Sequence, residues 1–201
     1  MREAEKIRKT TETEISIKLN IDGEGKSKIN TGIGFLDHML ELFAFWGHFD
    51  LEITAKGDLK VDIHHTNEDV GIVLGQAFKE ALGDKKGINR IGSASAPMED
   101  VTAGVTVDIS GRPSFKLVPS TLAALTSVQN KEKYEMEYAQ HFFESLAQQL
   151  GMNLNIKVEN PSEDLHATLE PVFKALGIAL DQATQIDPRR KGIPSTKGVI
   201  D

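Results

Sequence analysis

The chain contains no cysteine, so it forms no disulfide and offers no thiolate to a metal. No apolar run approaches the length of a bilayer-crossing helix. The segment Met1 to Thr13 is charged and lacks the apolar stretch of a secretory signal, so a cytoplasmic protein is expected. Basic residues are in deficit: 23 Lys and Arg stand against 30 Asp and Glu, for a net charge of −7. That balance argues against non-specific binding to nucleic acid. An acidic average still permits a local basic pocket for a phosphate ester, and Arg90, Arg112 and Lys197 could form one.

What is present is ordinary globular material. The 201 residues, 39% apolar and 26% charged, suit one compact domain or two small fused ones. Thr13 to Ile21 alternates, with Ile15, Ile17, Leu19 and Ile21 on one face, and predicts a strand. Phe35 to Trp46 has helical spacing. Leu51 to Ala55 and Leu59 to Ile63 read as strands around Lys56-Gly57-Asp58, a plausible hairpin. Asn67 to Leu82 is an amphipathic helix closed by Gly83 and a polar turn. The second half follows a similar order: a strand over Val101 to Ile109, a turn at Gly111-Arg112-Pro113 and an extended Ser114 to Val118. A polar loop is expected over Leu122 to Lys133. A helix over Glu135 to Leu150, a strand over Leu154 to Val158 and a helix over Asp164 to Gln182 follow, and Pro188 to Lys197 reads as a loop.

Five of the six histidines fall on an internal repeat, and His48 is the exception. His38 and His141 sit on helices; His64-His65 and His166 open the helices that follow. Twenty-six residues separate His38 from His64, and twenty-five separate His141 from His166. Each later helix carries His at i and Glu at i+4, as His64 with Glu68 and His166 with Glu170. Positions four apart share a helical face, so nitrogen and oxygen can point to one centre. A single such pair is ordinarily a solvated surface pair; two in register, each with an upstream histidine, point to metal. Imidazole and carboxylate suit manganese, iron or zinc, and the pattern does not choose among them. His65 points about a quarter turn away from His64 and could serve a second metal, giving two sites related by an approximate two-fold axis.

The motifs Gly32-Ile33-Gly34-Phe35-Leu36-Asp37-His38-Met39-Leu40, His64-His65-Thr66-Asn67-Glu68-Asp69, Ser110-Gly111-Arg112-Pro113, His141-Phe142-Phe143, Phe173-Lys174-Ala175 and Pro194-Ser195-Thr196-Lys197-Gly198 resemble, in order, the imidazoleglycerol-phosphate dehydratase family. The resemblance implies a lyase of histidine biosynthesis that converts imidazoleglycerol phosphate to imidazoleacetol phosphate and water. It implies an α+β fold of two duplicated ferredoxin-like or S5-like half-domains, 1–92 and 93–201, with sheets packed against helices. It further implies two Mn2+ ions per subunit and a homo-oligomeric shell, a 24-mer, with metal sites completed between neighbours. The metal ligands it implies are His38, His64, His65, Glu68, His141, His166 and Glu170. The phosphate and substrate residues are Arg90, Arg112, Ser195 and Lys197, with Glu12 and Lys174 near the substrate. Arginine forks suit phosphate oxygens, and Ser and Lys complete such a cradle. Glu170, Glu12 and Glu99 are the candidate proton-moving carboxylates.

The chain also departs from the family pattern. A second histidine is missing from the later His-x-x-x-Glu motif; anchoring on Phe173-Lys174-Ala175 places Ala167 there, anchoring on His141 places Leu165 there, and a loop insertion favours Ala167. One metal site is therefore expected to be weakened. Trp46 stands for His, Ile63 for Asp, Glu99-Asp100 for Asp-Glu and Gln140 for Glu. Besides the dehydratase, two other readings remain: a diverged paralogue that binds metal and another small phosphate ester, and a non-catalytic shell protein cemented by metal. Arg112, Ser195 and Lys197 together argue against a pure scaffold, which has no need of a phosphate cradle.

Overall fold

The computed structural model describes residues 2–119 and 134–200, so the loop expected over Leu122 to Lys133 lies outside the described residues. The elements follow the order β1(Glu3–Lys9), β2(Thr13–Asn20), β3(Ser27–Asn30), α1(Gly34–Trp46), β4(Asp50–Gly57), α2(His64–Ala81), then β5(Ile91–Met98), β6(Val101–Asp108), β7(Ser114–Val118), α3(Met136–Leu150), β8(Asn153–Glu159), α4(Leu165–Thr184). Each half is a β-β-β-α-β-α unit with one four-stranded sheet, ordered β1-β2-β4-β3 and β5-β6-β8-β7. This is the duplicated α+β architecture that the family resemblance implies.

The registers repeat as well. In the first sheet Ile15, Ile17 and Leu19 lie opposite Ala55, Ile53 and Leu51. In the second, Ala103, Val105 and Val107 lie opposite Val158, Ile156 and Leu154. All of these side chains are buried, because strand alternation sends them to the face that the helices cover. In each unit the third strand runs parallel to the fourth, joined by α1 or α3 as the crossover.

One local expectation fails. Leu59 to Ile63 forms no strand, and Lys56-Gly57-Asp58 opens no hairpin: both edges of β4 are already occupied, by β2 and β3. The segment instead turns, with Val61 N donating to Asp58 O at 2.7 Å, and delivers the chain to α2 at His64, three residues before Asn67. Strands β1, β3 and β5 are additional to those the pattern predicted.

Each sheet is covered by helices of its own half, and the halves join through helices: α2 packs on α3, and α1 packs on α4. Both crossings are close because glycine stands at equivalent places. A Cβ on Gly75 of α2 would meet the Leu146 carbonyl of α3 at 2.8 Å, and one on Gly177 of α4 would meet the Phe43 carbonyl of α1 at 2.5 Å. None of the described helices is long and apolar enough to cross a membrane.

Candidate active site

The crossings bring histidines from opposite halves together. At the first, α4 presents His166, Glu170 and Lys174 on one face, since they are spaced by four. His166 Nε2 lies 2.9 Å from Glu170 Oε2, and His38 Nε2, from α1, lies 3.6 Å from the same oxygen. The His38 and His166 rings are 5.0 Å apart. The three ligand atoms lie within 4.8 Å of one another, a group that can hold a cation. Lys174 Nζ takes the other oxygen, Glu170 Oε1, at 2.5 Å. Burial pushes the Glu170 carboxyl upward, but the hydrogen bonds from Lys174 and His166 outweigh it and hold the group below the usual carboxylate range.

At the second crossing the partners are exchanged. His141 Nδ1 of α3 lies 3.2 Å from His64 Nε2 of α2, and Glu68 Oε2 lies 3.3 Å from the same His64 nitrogen. A cleft of about 440 Å³ between the helices opens at this trio. Thus the upstream histidine of each half meets the His–Glu pair of the other.

Local sequence explains where the imidazoles sit. Asp62 Oδ1 accepts from His64 N at 2.9 Å, and Asp164 Oδ1 accepts from His166 N at 2.9 Å, the same restraint at both helix starts. On α1, Asp37 accepts from Thr31 N at 2.8 Å and from its hydroxyl at 2.5 Å, tying the preceding loop to the turn that carries His38.

His65 belongs to neither trio. Its Nδ1 lies 3.1 Å from Asp58 Oδ2 and 3.9 Å from Glu12 Oε2. The Asp58 hydrogen bond raises the His65 pKa above its ordinary value, against the opposing effect of burial and with help from Glu12. With Nδ1 held, Nε2 is the nitrogen left for another partner. The position equivalent to His65 in the second half, Ala167, is buried. Glu99 stands exposed with φ of 51° in the turn between β5 and β6.

The phosphate candidates gather elsewhere. Arg90, at φ of 72°, precedes β5; its Nε and Nη2 grip Asp108 at 2.6 and 2.9 Å, and its Nη1 donates to Pro194 O at 3.0 Å. This clamp secures the tail carrying Ser195 and Lys197, where Lys197 N donates to Ser195 Oγ at 3.2 Å. Arg112 is exposed in the turn after β6, its carbonyl accepting from Asn153 Nδ2 at 3.0 Å. Arg90 N bonds Ala183 O, near the end of α4 opposite His166. Seventeen residues of helix at about 1.5 Å each put roughly 25 Å between those ends. Lys174 sits with the Glu170 trio rather than with Arg90. Asp58, Asp62 and Asp108, absent from the sequence-based set, hold these groups in place: Asp58 and Asp62 through nearby bonds to His65 and His64, Asp108 through its pairing with Arg90 across the β5–β6 strand pair.

The profile of the family described as imidazoleglycerol-phosphate dehydratase matches residues 31–180. Imidazoleglycerol-phosphate dehydratase of Geobacillus kaustophilus (strain HTA426) is 51% identical over 199 residues, covering 99% of both chains. That of Bacillus subtilis (strain 168) is 50% identical over 200 residues, covering all of both. The crystal structure from Staphylococcus aureus subsp. aureus N315 superposes with a TM-score of 0.78 at 34% identity, covering 92% of this chain and 99% of that one. The Pyrococcus furiosus structure, solved in complex with (S)-C348, gives 0.79 at 35%, covering 96% and 99%.

A doubled α+β fold with these relatives places the molecule among the hydro-lyases, enzymes that cleave a carbon–oxygen bond with loss of water. The chain belongs to the imidazoleglycerol-phosphate dehydratase family.

Proposed function

We infer that this chain dehydrates imidazoleglycerol phosphate to imidazoleacetol phosphate, a lyase step of histidine biosynthesis. The observation that carries this is the reciprocal pairing of His38 with His166 and Glu170, and of His141 with His64 and Glu68, in a chain related to dehydratases over its whole length. That relatedness favours the dehydratase over a diverged paralogue.

The donor set fits a divalent first-row ion: two imidazoles and a carboxylate converge at the α1–α4 crossing, and His141 and Glu68 each approach His64 at the α2–α3 crossing, with no thiolate to favour a softer metal. We assign His38, His166 and Glu170 to one Mn2+ and His64, Glu68 and His141 to another, with His65 facing a further ligand position. When bound, such ions stabilise negative charge developing on an imidazole substrate and orient it. Glu170 is engaged through both oxygens, so Glu12, beside His65, is the first candidate for moving protons, with Glu99 next.

Arg112, Ser195 and Lys197 are assigned to the substrate phosphate, with Arg90 both clamp and neighbour. Arg90, where it meets the far end of α4, stands roughly 25 Å by helix rise from the His166 end, more than the span of a small phosphate ester. We therefore assign a complete site to two copies of the chain within a homo-oligomer, for which the family resemblance implies a 24-mer. Exposed Phe45 and Trp46, at the end of α1, supply apolar surface for such contacts. We propose the cytoplasm as its place of action, in keeping with its biosynthetic relatives.

The test is dehydration of imidazoleglycerol phosphate by the full chain with Mn2+, alongside Glu170→Gln. Product from the parent and a large loss in the variant are expected. No product from the parent would overturn the assignment of activity, and equal rates would remove Glu170 from the site.

A further inference from the structure

Asn67 lies on α2 between His64 and Glu68 and is fully buried. Both of its side-chain hydrogen bonds leave its own half of the chain. Nδ2 donates to the carbonyl oxygen of Tyr138 at 2.7 Å, and Oδ1 accepts from the Tyr134 hydroxyl at 2.7 Å. Tyr134 stands two residues before α3, and Tyr138 is in its first turn, three residues ahead of His141. A buried amide or hydroxyl stripped of its partner bears the full cost of its lost hydration, so this pair of bonds penalises any slide of α3 along α2.

The same rings reach both histidine trios. Tyr138 meets His64 edge-on with centroids 6.1 Å apart. Tyr134 stacks on Phe35 at 4.7 Å, and Phe35 meets His166 edge-on at 5.9 Å. The repeat is broken at this point: the position equivalent to Asn67 on α4 is Leu169, buried and without a side-chain donor or acceptor. The α1–α4 crossing has no polar tether there.

We propose that Asn67 is a positioning residue that sets the register of α3 on α2, and so keeps His141 beside His64, whose ring Glu68 also faces. This rests on the metal assignment above. Metal–ligand distances tolerate only about ±0.2 Å, whereas one residue of helical slip is about 1.5 Å. The trio at the α2–α3 crossing therefore depends on Asn67, whereas the trio at the α1–α4 crossing is reached only through the Tyr134–Phe35 ring stack, whose rings both substitutions below retain.

Equilibrium dialysis of the full chain against Mn2+ tests this, using Asn67→Leu and Tyr134→Phe, with His141→Ala and His38→Ala as references for the two trios. Asn67→Leu is expected to weaken one ion at least tenfold and leave the other unchanged, so that its isotherm overlays that of His141→Ala. Tyr134→Phe, which keeps the ring stack and removes one donor, is expected to weaken the same ion by less. It carries the test should Asn67→Leu fail to fold. Unchanged binding of both ions, or equal weakening of both, overturns the proposal, since a merely structural role would not select one site. A parent chain that binds no Mn2+ overturns the metal assignment, and this proposal with it.

Discussion

Gly177 of α4 faces the backbone carbonyl of Phe43 on α1 so closely that a Cβ would stand 2.5 Å from the oxygen. Neither backbone can yield locally, because Phe43 and its neighbour Ala44 are buried. Alanine in an open helix position is stabilising by about 1 kcal/mol relative to glycine. Here overpacking of about 1–3 kcal/mol opposes it. Gly177→Ala is thus expected to lower stability in urea denaturation and to weaken Mn2+ at the His38–His166–Glu170 trio. A gain in stability would mean that α1 and α4 have slack.

Asp108 occupies two guanidinium nitrogens of Arg90, whose third contact holds the tail at Pro194. Hydrogen bonds to charged groups contribute about 1.5–3 kcal/mol. Asp108→Asn should raise KM for the phosphorylated substrate roughly tenfold or more, with kcat little changed, as steady-state kinetics would show. A drop in kcat at unchanged KM would place the pair elsewhere in the chemistry.

Asp58 holds His65 Nδ1, a carboxylate orienting an imidazole. Loss of such partners costs about 10–100-fold in metal affinity. Asp58→Ala is expected to weaken Mn2+ binding in that range while circular dichroism stays unchanged. Full-strength binding would show that His65 is oriented by other contacts.

Metal that binds only the folded chain stabilises it by about 2.7 kcal/mol at a hundredfold excess over Kd. Chelation should therefore lower the melting temperature, and added Mn2+ should restore it. Identical melting curves with and without chelator would argue against bound metal.

Strong periodicity made much of this fold legible. The apolar faces of β2, β6 and the four helices are written in Ile15-Ile17-Leu19, Val101 to Val107 and the helical spacings. Strands β1 and β3 are hidden because they are edge strands that bury almost nothing: Ala4 is the one buried residue of β1, and β3 has none. Strand β5 is hidden because small residues replace large ones, Gly92 making room for the carbonyl of Ala179. The repeat exposed the histidines, but not who meets whom. Spacing within one half cannot reveal that His38 faces Glu170 and that His141 faces His64, since those meetings depend on how the halves dock. The carboxylates Asp58 and Asp108 carry no pattern at all; a turn and a strand end place them.

The exchange of partners between halves has a consequence for folding and assembly. Either half expressed by itself would hold a His–Glu pair and a solitary imidazole on different helices, and a trio would form only if two such fragments associated about a common axis. Joining them in one polypeptide makes that encounter independent of protein concentration, so dilution that would dismantle a fragment dimer leaves each pairing intact within the chain.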